Sequence, residues 1–193
     1  SSAYRGIGVS TWSKKDVRTN NNTITLVPDP FFVPAPPATP TLNPLQYGIG
    51  HQSNAAANSF GNNIVGNTIT GAGIGTNPNV RAIITVLCNN QIVRCNKVNN
   101  TFKGIEFRGN NSPTSFNHND MTNHRFGFVL DNAGFIGVQG NSTNPSDNRW
   151  LGTWTGGNFK TATLATATPS TAVGSELWVR NTSAVFNPNG SGF

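Results

Sequence analysis

The stretch whose reading decides the fold runs Asn96-Lys97-Val98, Gly104-Ile105-Glu106-Phe107, Asn119-Asp120-Met121 and Gly127-Phe128-Val129-Leu130. An Asn-x-apolar triplet alternates with a short strand opened by glycine, and each time the glycine follows the asparagine by 8 residues. Upstream, Asn22-Thr23-Ile24 and Asn67-Thr68-Ile69 repeat the triplet. Gly6-Ile7-Gly8-Val9, Gly48-Ile49 and Arg81-Ala82-Ile83-Ile84 hold the strand-opening place. From opening to asparagine the distances are 16, 19, 15 and 15 residues for the units beginning at Gly6, Gly48, Arg81 and Gly104. Two landmarks that keep phase with each other define a repeat. Its length is about 22 residues once two insertions are set aside, the proline-rich run 27–45 and the glycine-rich run 71–79.

A repeat of this length, carrying two or three short strands joined by Asn and Gly turns, cannot bury its apolar side alone. It must stack on its neighbours at the spacing of paired strands, about 4.8 Å, so that each residue lies over its counterpart. The expected fold is therefore all-β, a right-handed parallel β-helix of about five coils over residues 1–150, with the proline-rich 27–45 looped out because proline cannot serve an interior strand. Alternation assigns Ile24, Ile69, Ile84, Val98, Ile105, Phe107, Met121, Phe128 and Leu130 to the interior. Asn22, Asn67, Asn96 and Asn119 are expected to stack as a ladder, because an amide both donates and accepts and asparagine tolerates the left-handed turn conformation. Leucine-rich and hexapeptide solenoids lack their consensus here. An antiparallel sandwich is the main rival, though it does not require the landmarks to keep phase.

After Asn132 the pattern changes, and residues 151–193 are read as an irregular closing segment. A terminal coil exposes core and strand edge and needs such a cover. Trp150, Trp154 and Trp178 fall at or beyond this change and suit that task.

Composition narrows the function. Asparagine occurs 29 times and only 10% of residues are charged, which disfavours helical bundles and coiled coils. The longest apolar stretch, Ala82 to Cys88, is far shorter than the roughly 20 residues a membrane helix needs. The net charge is +6, yet the basic residues are scattered singly apart from Lys14-Lys15, so no nucleic-acid partner is expected. No basic and apolar leader opens the chain, which suggests a mature or interior piece. Cys88 and Cys95 match neither a zinc nor a redox spacing; a disulfide between them and two packed thiols are both open.

The run Cys95 to Phe107, with Asn119-Asp120-Met121-Thr122-Asn123, Ile136-Gly137-Val138-Gln139-Gly140 and Asn148-Arg149-Trp150, resembles right-handed parallel β-helix repeats of large secreted Bacteroidota proteins. The resemblance covers roughly residues 48–155 and implies an extracellular or cell-surface location, with export by the type IX secretion system. The sorting domain such proteins commonly carry is not visible in this sequence.

Many β-helices act on acidic polysaccharides, and a hydrolase needs carboxylates converging on one face. Glu106, Asp120 and Asp131 come from neighbouring coils, but the Asn-Thr-Asp and Gly-His-Gly signatures of polygalacturonase-like enzymes are missing; the nearest text is Gly50-His51-Gln52. A lyase would need a calcium site or a base, for which Arg108 beside Glu106 and Arg125 beside His124 are the candidates. His118 and His124 could each offer a metal ligand but lack a third. Trp12 and the three later tryptophans could stack on sugars. The Thr-Ile-Thr rows at Thr23 and Thr68 break at Val98-Asn99. No residue is assigned a catalytic, cofactor or metal role, and no cofactor is expected. The reading is a non-catalytic stalk, adhesin or secretion cargo whose partners are other parts of a longer parent chain, other surface or secretion proteins, or polysaccharide. The alternative is a polysaccharide-acting enzyme or carbohydrate-binding fragment.

Overall fold

The computed structural model describes residues 9–12, 14–27, 46–53, 61–74, 79–164 and 174–188. The proline-rich 28–45, Gly6 and the Thr/Ala stretch beyond residue 164 lie outside them. The described chain is all-β, with parallel sheets stacked in register, the arrangement of a β-solenoid. Seventeen strands follow one another as β1 (Val9–Trp12), β2 (Arg18–Asn20), β3 (Thr23–Thr25), β4 (Gln46–Gln52), β5 (Asn63–Val65), β6 (Thr68–Thr70), β7 (Val80–Val86), β8 (Gln91–Arg94), β9 (Lys97–Asn99), β10 (Lys103–Asn110), β11 (Thr114–Asn117), β12 (Asp120–Thr122), β13 (Phe126–Phe135), β14 (Val138–Gln139), β15 (Arg149–Leu151), β16 (Phe159–Leu164) and β17 (Glu176–Leu177).

Every third strand pairs with the one three places on. The first sheet runs β1-β4-β7-β10-β13-β16, the second β2-β5-β8-β11 and the third β3-β6-β9-β12-β15, while β14 pairs with β17. All of these strand pairings are parallel. Between the three sheets lies one apolar core built of columns. Ile49, Ile83, Ile105 and Phe128 stack in the first sheet, Ile64, Val93 and Phe116 in the second, and Ile69, Val98, Met121 and Trp150 in the third. Phe107, Phe116 and Phe128 meet within 5.9 Å of one another, ring centre to ring centre. Each such buried side chain contributes roughly 2–3 kcal/mol.

The asparagine stack forms as expected and gains a fifth member, Asn148. The Nδ2 of Asn22, Asn67, Asn96 and Asn119 each donates to Oδ1 of the next asparagine at 2.9, 2.9, 3.0 and 2.9 Å. The backbone N–H of the same four residues donates to the same oxygens at 3.0 to 3.1 Å. Each remaining Nδ2 hydrogen of Asn67, Asn96, Asn119 and Asn148 reaches a carbonyl one coil back, on Thr19, Ile64, Val93 and Phe116. A central member such as Asn96 thus fills both acceptor sites and both side-chain donor sites while fully buried.

One residue in the left-handed region precedes each ladder asparagine: Asn21, Gly66, Cys95, His118 and Asp147, with φ between 53° and 70°. At the first four of these rungs that single residue turns the chain from the second sheet into the third. At Gly66 a Cβ would come within 2.4 Å of the Asn21 side-chain oxygen, so glycine serves that rung for space as well as for φ.

Two details of the sequence reading are corrected. In the middle unit Ala82, not Arg81, occupies the place of Gly48 and Gly104, because Ile83 pairs with both Ile49 and Ile105. In the first unit Val9 pairs with Ile49, two residues later than an alignment on Gly6 requires. The slip at Arg81 inverted one assignment. Ile84 lies on the opposite face of the first sheet with Tyr47 and Val86, and Ile83 is the inward residue. The tryptophans divide: Trp150 is in the core and Trp154 packs against it, whereas Trp178 is 43% exposed and contributes its backbone carbonyl to Ser146 instead. Cys88 is buried with its thiol donating to the Val86 carbonyl at 3.3 Å, Cys95 is exposed at its turn, and no disulfide joins them.

Asn96→Ala leaves two donors of Asn67 and the Ile64 carbonyl without partners in the interior, and should lower unfolding stability by about 3–5 kcal/mol. Asn22→Ala, at the half-buried end of the ladder, should cost about 1 kcal/mol or less. Urea melts of the two variants check this; equal losses would show that the stack is not what fixes the corner. Cys95→Gly relieves a side chain held at φ 56°, and the same melts should show a gain on the order of 1 kcal/mol.

Candidate functional site

The sequence candidates separate in space. Glu106 and Asp131 come together on the outer face of the first sheet, because Glu106 in β10 and Asp131 in β13 stand at outward places of adjacent strands. Asp120 belongs to the third sheet, where it faces Arg149 of β15 and receives two hydrogen bonds of 2.6 Å. Asp147 is similarly forked by Arg180 at 2.5 and 2.7 Å. The three carboxylates read as a possible catalytic group are therefore not one group.

Around Glu106 and Asp131 the register gathers three cations. Arg81 and Lys103 stack one over the other at the start of their strands, and Arg108 stands beside Asp131. Arg81 Nε donates to Glu106 Oε2 in a short ion pair. Lys103 Nζ lies 2.5 Å from Glu106 Oε1 and 2.9 Å from Asp131 Oδ2, so it bridges both acids. Arg108 bridges the same two oxygens at 3.3 and 3.1 Å. Side-chain exposure is at most 13% for all five groups and zero for Glu106.

Burial works against charge on Glu106, but Arg81, Lys103 and Arg108 outweigh it and hold the carboxyl well below its usual value. Burial pulls the Arg81 guanidinium below its ordinary value, with Glu106 opposing. At Arg108 burial is overcome by Glu106 and Asp131, and the value rises. A carboxylate so held cannot supply a proton at neutral pH, and its oxygens are engaged by cations. This is the reverse of the raised carboxyl a glycosidic acid needs. The sequence reading placed Arg108 beside Glu106 and missed Arg81 and Lys103, which reach the site only through strand register.

The remaining candidates are turn or packing residues. Arg125 points away from His124, donating to the Gly156 carbonyl at 3.2 Å and lying over the Phe126 and Phe159 rings at 5.9 and 5.7 Å. His118 is exposed in its left-handed turn, 3.8 Å from Asp147. His124 is fully buried, with Nδ1 against the N–H, carbonyl and hydroxyl of Thr101 at 3.3, 3.2 and 2.9 Å and Nε2 3.1 Å from the Val98 carbonyl, so both ring nitrogens are engaged within the protein. The two histidines therefore cannot share a metal. Among the described residues no group of three or more His, Cys, Asp or Glu side chains could hold a metal ion, and no helix is long and apolar enough to cross a membrane.

No family model, no curated protein and no solved structure matches the chain. Its function has to be argued from its own geometry.

The buried histidines make a pH prediction. Desolvation lowers His51 and His124 to about 4 from an ordinary 6.5. The unfolded chain takes up these protons first, so their contribution is complete above pH 6.5. It is lost as pH falls toward 4, by roughly 3 kcal/mol per histidine over the whole window. Glu106, whose value is depressed, adds little to that slope, because its stabilisation begins to fade only as pH reaches the ordinary carboxyl value and is lost as pH falls further. Chemical denaturation at steps between about pH 7.5 and 4.5 should show the decline, and His124→Gln should remove about half of it. A flat profile would overturn the assignment of both rings as buried and neutral.

Proposed function

We propose that the chain is a non-catalytic, right-handed parallel β-helical module of about five coils, closed at its C-terminal side by residues 151–193. In this reading it belongs to a secreted or cell-surface bacterial protein of the Bacteroidota type exported by the type IX system, and acts as stalk, adhesin or secretion cargo. The observation that carries the proposal is the fate of Glu106 and Asp131. The only acids drawn together on the outer face of the longest sheet, among the described residues, are bridged by Lys103 and Arg108 and shut from solvent. They hold adjacent coils in register, which is mechanical work.

The role that follows is geometric. A buried amide ladder and in-register columns make each coil a rigid rung, so the stack keeps its length under load and displays its loops at fixed spacing. Partners are then other regions of a longer chain or other surface and secretion proteins, reached through loops and not through a catalytic cleft.

One observation favours contact with polysaccharide as a second reading. Phe126 and Phe159 stack at 5.5 Å with their planes 9° apart beneath Arg125, Phe102 meets Phe126 edge-on, and all three rings are half-buried. Such rings offer a face to a sugar.

Incubation with a panel of acidic and neutral polysaccharides tests both readings. The expected result is neither new reducing ends nor unsaturated products, with any retention on a polysaccharide column weakened by Phe126→Ala. Turnover that disappears in a folded Asp131→Asn protein would overturn the non-catalytic assignment.

A further inference from the structure

The asparagine ladder has a direction. Within it, each Oδ1 accepts from the Nδ2 and the backbone N–H of the asparagine one coil earlier. Asn22 stands first and its own Oδ1 receives neither bond; it donates through Nδ2 to the Asn20 carbonyl and to Asn67. The ladder therefore begins with an open acceptor.

Two independent features lie at the same end. The strands β2 and β3 are the outer members of their sheets. In β3 the backbone of Asn22 and of Leu26 is engaged with the next coil, through Thr68 N–H to the Asn22 carbonyl and Leu26 N–H to the Thr70 carbonyl. Parallel pairing sends alternate residues to opposite sides, so Thr23 and Thr25 present N–H and C=O to the side where no described strand lies. The core is also less covered there. Ile24 is half-buried, although Ile69, Val98, Met121 and Trp150 beneath it in the same column are fully buried, and Val9 of β1 is half-buried although Ile49, Ile83, Ile105 and Phe128 of its column are fully buried.

We propose that the edge formed by β2 and β3 is a docking surface for one further parallel β-coil, supplied as upstream polypeptide and carrying an asparagine at the ladder place. That asparagine would give Oδ1 of Asn22 its two missing donors, the coil's strand would pair with Thr23 and Thr25, and its inward apolar residue would cover Ile24. A second copy of this chain is a poorer occupant. The donor end of the ladder is Asn148, which is fully buried, and the short 3-10 turn Ala184–Phe186 packs against β15 beside it. The inference rests on the stacked-coil reading of the module, but it concerns the edge alone and is independent of adhesion or cargo function.

The test fuses a second copy of residues 103–122, one complete set of three strands with its asparagine, ahead of Ser1 of the full chain. Connections between successive coils among the described residues range from residues 100–102 to residues 152–158, so the length of chain ahead of Val9 suffices to join the added copy. Amide hydrogen exchange should show Thr23 and Thr25 protected at least about tenfold more than in the unmodified chain, with the gain lost when the asparagine of the added copy is changed by Asn119→Val. No gain in protection overturns the proposal, and so does an added segment that stays unstructured, because an edge built to accept a coil should order it. Sedimentation of the unmodified chain is the second arm. A dimer that protects the same two amides would overturn the choice of occupant. Because neither readout involves a ligand or an activity, failure here leaves the scaffold reading standing, and turnover on a polysaccharide would leave this inference standing.

Discussion

The buried amide of the ladder asparagine is the constraint from which the rest of the molecule follows. Its Oδ1 can take two donors and its Nδ2 can give two hydrogens only when the neighbouring coil lies one strand spacing away and in register. Asparagine also follows, at each rung, a single left-handed residue, which at Asn21, Gly66, Cys95 and His118 bends the chain from the second sheet to the third. Turn and ladder are therefore one device. The bend presents the amide inward, and the amide supplies the hydrogen bonds that a buried corner would otherwise lack. Once the corner is fixed, which face of each strand points into the core is fixed as well.

That dependence explains what could be read from the sequence. Asn22, Asn67, Asn96 and Asn119 were legible because an amide ladder needs one residue type at one place, and their apolar followers Ile24, Ile69, Val98 and Met121 went with them. Asn148 repeats the same triplet in Asn148-Arg149-Trp150, but it follows a long loop and a change of pattern, so its interval from Asn119 did not declare it. The strand-opening place was weaker evidence. It asks only for a small residue, and Gly104 shows why: a Cβ there would meet the Gly127 carbonyl at 2.4 Å and the His124 ring at 3.0 Å. Ala82 meets the same requirement without glycine, so the reading shifted to Arg81 and carried Ile84 to the wrong face.

The ionic cluster was illegible for a different reason. Arg81, Lys103, Glu106, Arg108 and Asp131 have no shared spacing in the chain and become neighbours only after three strands are aligned. Sequence separation within the set is as large as 28 residues for a single hydrogen bond, that between Lys103 and Asp131. The turn residues misled in the opposite direction. Cys95 and His118 carry reactive side chains, yet each stands where Gly66 and Asn21 stand in other coils, as the one left-handed residue of a corner. Their chemistry is incidental to a backbone requirement.

The ladder and the cluster act on opposite faces of the same stack, and together they determine register. A slip of one residue between β10 and β7 would keep every strand parallel, but it would carry Glu106 toward the column of Ile83 and Ile105 and turn Phe107 outward. Glu106 would leave Arg81 behind and turn toward an apolar interior, a change costing several kcal/mol even after relaxation. A slip by two residues restores the faces, yet it parts Glu106 from Arg81 and moves the strand against a corner already held by Asn96 and Asn119. Buried ion pairs add little net stability beside well-packed apolar side chains. What they contribute here is discrimination among registers that apolar burial, being non-directional, specifies less sharply.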